Sequence, residues 1–232
     1  MVDTLRHEGS PVDEWDAYWK QQKTSKSMYG KVASFYRRII IAPSVRGTVL
    51  KYLEPQKSVL HLGCGSGEVD KLLPPDWRLT GLDFSIEALS RNRETNAPNA
   101  TFINLVQADL FYLPFKNGHF QVVFNLGVME HFTEHEIIDA LREMVRVTTS
   151  GGRLILYWPP IWGPTVIFLH TVERLMRLVN TRHRQLHPPE INLFRSRRQC
   201  RELLQRAGLR DITFHYGPRD LFTHVVVVAT RN

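Results

Sequence analysis

The spacing of the apolar runs limits most strongly how this chain can fold. Five short runs, SVLHL (58–62), RLTGL (78–82), TFINLVQ (101–107), HFQVVFN (119–125) and RLILYW (153–158), read as mostly buried strands, with helical patterning between most of them. Strands alternating with helices predict an α/β fold with a parallel sheet covered on both faces. The end of the chain breaks that rhythm. Only Gly217 to Asp220 separate DITFHY (211–216) from LFTHVVVVAT (221–230), a gap too short for a parallel crossover, so these two strands must form an antiparallel hairpin.

Local signals mark the helices. Ser85 is placed to cap a helix through Asn96, and Thr133 with Glu136 has capping-box spacing ahead of an apolar stripe of Ile137, Ile138, Leu141, Met144 and Val145. Ser150-Gly151-Gly152 is expected to end that helix and turn into the next strand; Ser196 with Gln199 caps another helix, carrying Leu203 and Leu204. Residues 12–53 look helical and amphipathic, with Trp15, Tyr18, Trp19, Tyr29, Phe35 and Tyr36 among charged residues and Pro43 expected to separate two helices. No internal repeat or glycine-serine linker divides the 232 residues, so one domain is expected.

The chemistry is concentrated in VLHLGCGSGEVDKLL (59–73), where a buried strand runs into Gly63, Gly65 and Gly67 and a helix is expected to follow. Alternate glycines let the backbone turn sharply and let a ligand press against it. Twenty residues after Gly63, Asp83 ends the next strand, where a carboxylate can accept bonds from both hydroxyls of a ribose. Together they point to a nucleoside-bearing cofactor. A dinucleotide fingerprint would place its third glycine at 68, but that position is Glu68, whose charge would oppose a pyrophosphate. S-adenosylmethionine (SAM) carries no phosphate and escapes the objection.

In these residues the chain resembles the class I SAM-dependent methyltransferase family, in particular its small-molecule branch, over about 57–158 and again over 196–230. The resemblance implies a Rossmann-like, seven-stranded, mostly parallel sheet with a C-terminal antiparallel hairpin and helices on both faces. It implies SAM as cofactor and S-adenosyl-L-homocysteine as product. Gly63, Gly65 and Gly67 match the glycine motif, with Cys64 inside it, and Asp83, followed by Phe84, matches the ribose-binding acid. Asp109 and Leu110 match the adenine-contacting segment, and Asn125, Leu126 and Gly127 the backbone near the methionine part. The family usually has an acid two residues before the first glycine, helping to hold the SAM amino group; here it is His61, and Gln121 stands where Asp is frequent.

Methyl transfer from a sulfonium is an in-line displacement, and a base is needed only for a hydroxyl or protonated-amine acceptor. Glu130 and His131 follow the fourth strand, where related enzymes place residues facing the methyl, so His131 is the first candidate for base or orienting group, against a purely packing or capping role. His131 to His135 also spells H-x-x-E-H, but the cap at Thr133 leaves His131 outside the helix, so no shared metal is expected. YWPP (157–160) follows strand five, unlike the strand-four Pro-Pro loop of amino-group DNA methyltransferases, and is set aside. Cys64 and Cys200 read as reduced thiols.

The acceptor side is expected in two segments: an N-terminal helical cover (1–56), where Tyr29 and Tyr36 contact cofactor or substrate or else pack on the sheet edge, and a lid-like insertion at 159–194 within the domain of 57–232. The insertion has an apolar part and a basic tail with His183 and His187. It fits a lid over an apolar, anionic or lipid-like acceptor, a peripheral membrane contact through 164–187, or a dimer interface. Net charge is +7, with ten arginines between Arg174 and Arg210, which a solvated helical surface would also explain. A small-molecule acceptor is expected rather than nucleic acid, since no appended nucleic-acid module is recognised. An RNA or protein methyltransferase and a catalytically silent SAM-binding subunit are the alternatives. Without a signal-type h-region or an apolar run of ~20 residues, a cytoplasmic protein is expected.

Overall fold

The computed structural model describes residues 15–20, 34–53, 58–74, 77–97, 103–179 and 190–232, with the side chains of 173 and 175–179 excepted. Seven strands, β1 (Ser58–Leu62), β2 (Arg78–Asp83), β3 (Ile103–Gln107), β4 (Phe120–Leu126), β5 (Thr148–Trp158), β6 (Leu209–His215) and β7 (Val225–Arg231), form one sheet in the order β3-β2-β1-β4-β5-β7-β6. β1 to β5 pair in parallel, while β7 runs antiparallel to both β5 and β6. The strand order reverses at β1, which has β2 on one side and β4 on the other. A crevice must therefore open at their carboxyl ends. The parallel sheet and terminal hairpin are those expected from the apolar spacing, and the seven-stranded Rossmann-like order is the one the resemblance implies.

Among the described residues the α-helices that flank the sheet are α1 (Ala42–Tyr52), α2 (Ile86–Thr95), α3 (Glu134–Val147), α4 (Pro164–Val179) and α5 (Arg197–Arg206). Strand alternation divides the core in two. Leu60, Leu62, Val123, Leu154 and Leu156 face α3 and α5, whereas Val59, Val122, Phe124, Ile155 and Tyr157 face Ile41, Val45 and Val49. The expected caps form. Thr133 and Glu136 make a complete capping box, with the Thr133 N–H donating to Glu136 Oε2 at 2.8 Å, and the Ala88 N–H donates to Ser85 Oγ at 3.2 Å.

Three local expectations are corrected. After Gly67 there is no α-helix, only turns and a 3-10 helix at Asp70–Leu72. Leu73 precedes Pro74 and is extended, so too few residues remain between the glycines and the proline for α-helical turns. Pro43 does not separate two helices: a π-helical turn, Arg37–Ile41, runs directly into α1, whose first turn tolerates a proline lacking an N–H. β5 already begins at Thr148, so Gly151, with φ of 74°, lies in an irregular stretch of the strand rather than ahead of it. Tyr29, His183 and His187 lie outside the described residues.

Candidate functional site

At the carboxyl ends of β1, β2 and β4 the chain opens a cleft of about 960 Å³, part of it open to solvent. Its floor is the glycine turn. Gly63, Gly65 and Gly67 have φ of 65°, 51° and 68°, a left-handed backbone that only glycine adopts without strain. Close approach adds to that requirement at Gly67, where a Cβ would stand 2.4 Å from the side chains of Asn92 and Asn96. These two asparagines of α2 and its cap support the loop from beneath: Asn96 Nδ2 donates to the Gly67 carbonyl at 3.1 Å and Asn92 Nδ2 to the Gly65 carbonyl at 3.4 Å. Sequence reasoning missed both; their i, i+4 spacing behind an N-cap was the available signal.

Asp83 closes the loop from the side. Its Oδ2 accepts from the Gly65 N–H at 2.9 Å and its Oδ1 from the Ser85 N–H at 3.0 Å. Burial pushes its carboxyl above the usual range, while the two N–H bonds act in the opposite direction. His61, Cys64, Phe84, Leu110 and Leu126 also line the cleft. Burial pushes the Cys64 thiol well up, so it stays protonated and inert. Asp109 and Asn125 are absent from the cleft lining. Asp109 Oδ1 caps the turn that follows by accepting from the Phe111 N–H at 3.0 Å, and the Asn125 amide is fully buried without a partner among the described residues.

His61 is supported in a way its position in the motif does not reveal. It is 2% exposed, stacks on Phe124 with ring centroids 4.2 Å apart, and places Nδ1 2.7 Å from Asp70 Oδ1. The 3-10 turn that replaces the expected helix delivers this carboxylate. With Asp70 holding the proton on Nδ1, Nε2 is left as an acceptor, and it is buried without a partner among the described residues. A buried carboxylate thus stands behind the imidazole.

The two candidate catalytic residues separate. His131 lines the cleft, its ring meeting Trp15 edge-on at 5.0 Å. Glu130 is 3% exposed and lies behind the cleft, packed under Gly127, with Oε1 3.9 Å from His131 Nε2. Burial, reinforced by Glu190, raises its carboxyl to about 8. Its carbonyl accepts the N–H groups of Ile191 and Asn192 at 2.7 and 2.9 Å, which ties the end of the 159–194 segment to the site. Residues 15–20 form a helical stretch against the cleft: Asp16 accepts from the Ser85 hydroxyl, Trp19 lies against Gly65, and Trp15 meets Phe84 edge-on. Tyr36 lies elsewhere, its hydroxyl bonded at Asp220 and Thr223. Among the described residues no cluster of His, Cys, Asp and Glu could hold a metal.

This geometry is matched by known proteins. Residues 60–156 match the family described as methyltransferase domain. Residues 60–156 thus form a methyltransferase domain. The eEF1A lysine and N-terminal methyltransferase of Homo sapiens is 24% identical over 67% of this chain and 21% of its own length. A human protein named "Probable tRNA methyltransferase 9B" is 30% identical over 50% of this chain and 24% of its own. The chain thus spans about a fifth to a quarter of the length of these curated relatives. In fold, it superposes on magnesium protoporphyrin IX methyltransferase of Synechocystis PCC 6803, solved with S-adenosylhomocysteine (SAH) bound, with a TM-score of 0.64, 17% identity and 95% of each chain covered.

Two outcomes are expected. His61→Ala should weaken SAH binding about tenfold or more while leaving 5′-methylthioadenosine, which lacks the amino-acid end, unchanged; calorimetry showing equal losses for both would assign His61 a merely structural role. For Glu130 the folded carboxyl, at about 8, lies above the unfolded value of 4.5, so the native state holds the extra proton and wild-type stability falls as pH rises between them. Glu130→Gln should therefore gain in melting temperature relative to wild type from pH 5 to pH 8, and a constant gap would contradict the burial assigned to this carboxyl.

Proposed function

We propose that the chain is an active methyltransferase that moves the methyl group of SAM to a small, largely apolar acceptor entering over His131. The observation that carries this reading is the pairing of a left-handed glycine floor with Asp83 on one side and His131, Trp15, Phe132 and Val128 on the other. When bound, SAM supplies an electrophilic methyl on a sulfonium whose departure needs no proton. Asp83 would take the ribose hydroxyls, the 63–67 backbone and Leu126 to Gly127 the amino-acid end, and Phe84 and Leu110 the adenine faces. The orphaned His61 Nε2 suits the ammonium. Glu68 in the floor, which accepts from the Ser34 hydroxyl, makes the same surface hostile to a pyrophosphate.

On the acceptor side, the His131 imidazole receives the proton that an alcohol or amine releases as it is methylated. Glu130 behind it, with Oε1 3.9 Å from Nε2, positions the ring. Residues 15–20 act as part of a cover that excludes water, and the 159–194 segment, hinged at Glu130, as the lid. A protein or RNA acceptor is the second reading; it is favoured by the names of the two curated relatives above and by the charge of +7.

Asp83→Asn should weaken SAH binding by about 30- to 100-fold. His131→Ala should leave that affinity intact and lower the single-turnover rate on an accepted substrate about 100-fold. Undiminished SAH affinity in the first variant would refute the ribose assignment, and a wild-type rate in the second would remove His131 from catalysis.

A further inference from the structure

On the edge of the sheet where β5 ends, aromatic rings form an unbroken chain. Phe214 packs on Phe194 at 6.0 Å, Phe194 on Trp162 at 5.9 Å, Trp162 on Tyr216 at 6.4 Å and Tyr216 on Phe222 at 5.4 Å. Phe194 is buried, but Trp162, Tyr216 and Phe222 are exposed, at 45%, 37% and 44%, and the chain neighbours Ile161 and Leu221 are exposed as well. Leu221 and Phe222 reach solvent through a strained backbone, with φ of 57° and 59°. Two consecutive large apolar residues in the left-handed region are unusual. The turn is well built around them. The Leu221 and Phe222 N–H groups donate to the Pro218 and Gly217 carbonyls, and Asp220 Oδ2 accepts from the His224 N–H. The strain is therefore imposed by an ordered turn.

The flank of this ring chain is basic. Arg197 and Arg201 lie over the Phe214 ring at 5.9 and 5.4 Å, and a shallow groove beside it is lined by Lys51, Arg197, His215 and Arg219. Burial depresses the His215 imidazole, and Lys51 and Arg219 add to the effect. The nearby carboxylates do not offset it. Asp220 is buried and engaged in its turn, and Glu202 is paired with Arg198 at 3.0 Å.

We propose that the tip formed by Ile161, Trp162, Leu221 and Phe222, with Lys51, Arg197 and Arg219 around it, docks the chain on a bilayer surface rich in anionic phospholipid. Aliphatic and aromatic side chains enter the headgroup boundary while the cations meet phosphate, the pairing of forces that holds peripheral proteins on membranes. Nucleic acid would use the cations and the rings but gains nothing from exposed Ile161 and Leu221. Val225, first in β7, pairs with Trp158, last in β5, so the tip stands at the same sheet edge as the cleft and would bring it to acceptors dissolved in lipid. This rests on the methyltransferase reading for its purpose only.

The test is flotation of the full chain with liposomes of phosphatidylcholine alone and with a third of phosphatidylserine, at low and high salt, with SAH binding measured in parallel. Binding at least tenfold stronger to the anionic liposomes is expected, and weakening by salt. Leu221→Asn with Phe222→Asn should abolish it without lowering the melting temperature, because asparagine accepts the left-handed backbone; Arg219→Ala should weaken it severalfold. Binding unaffected by the asparagine pair would overturn the proposal, as would full competition by soluble glycerophosphoserine, the mark of a small-anion site. Retention of a tRNA pool with no liposome binding would also overturn it. Loss of SAH binding in the wild-type chain would instead strike at the cofactor reading and leave the liposome result standing.

Discussion

One carboxylate organises the working edge of this sheet. Asp83 takes the Gly65 N–H on one oxygen and the Ser85 N–H on the other, so it fixes the glycine turn that leaves β1 and the start of α2 together. The consequences spread from there. Ser85 caps α2, and α2 presents Asn92 and Asn96 to the carbonyls of Gly65 and Gly67. The loop is thus held by a side chain from the next strand and by two from the next helix, none of them within the glycine motif. Desolvation of Asp83 opposes its charge, and the two N–H bonds compensate in part. Hydroxyl donors from a ligand would add to that compensation.

The same economy explains His61. In the family the residue at this point of the motif is usually acidic, and a histidine there reads as a loss. Instead a buried carboxylate, Asp70, stands 2.7 Å behind its Nδ1, and Nε2 is the ring atom left without a partner among the described residues. That arrangement depends on the tight 3-10 turn after Gly67. A regular helix there would carry Asp70 on a different course, and Pro74 prevents one from forming.

The parts legible in the sequence were those with a period or a fixed spacing. Strand alternation, the hairpin before β7, the capping pairs and the distance from Gly63 to Asp83 are all local in the chain, and each is found in the structure, although the hairpin connection runs over 216–224 rather than the four residues expected. The parts that were not legible join residues without such a rule. Nothing in GEVDKLL announces that Asp70 turns back to His61, or that Glu130 lies under Gly127 and takes the returning chain at Ile191 while His131 beside it faces the cleft. A 3-10 turn of three residues, Met129–His131, is enough to send two neighbouring side chains to opposite sides of one wall, and periodicity over so short a span carries no signal.

The antiparallel β7 is what links the two halves of the site. Because it runs against β5, the turn preceding it lies beside the segment that leaves β5, and residues sixty apart in sequence become neighbours at one edge: Trp158 with Val225, Trp162 with Tyr216. A parallel strand in that place would begin at the far end of the sheet, carrying the 216–222 turn away from the cleft. The cofactor side is built from β1, β2 and β4 and is constrained by one ligand. At the β5–β7 edge an insertion and a hairpin turn meet, two loops free to vary in length and composition without disturbing the sheet. The exposed rings, the strained turn and the arginines all lie there, away from the residues that Asp83 clamps.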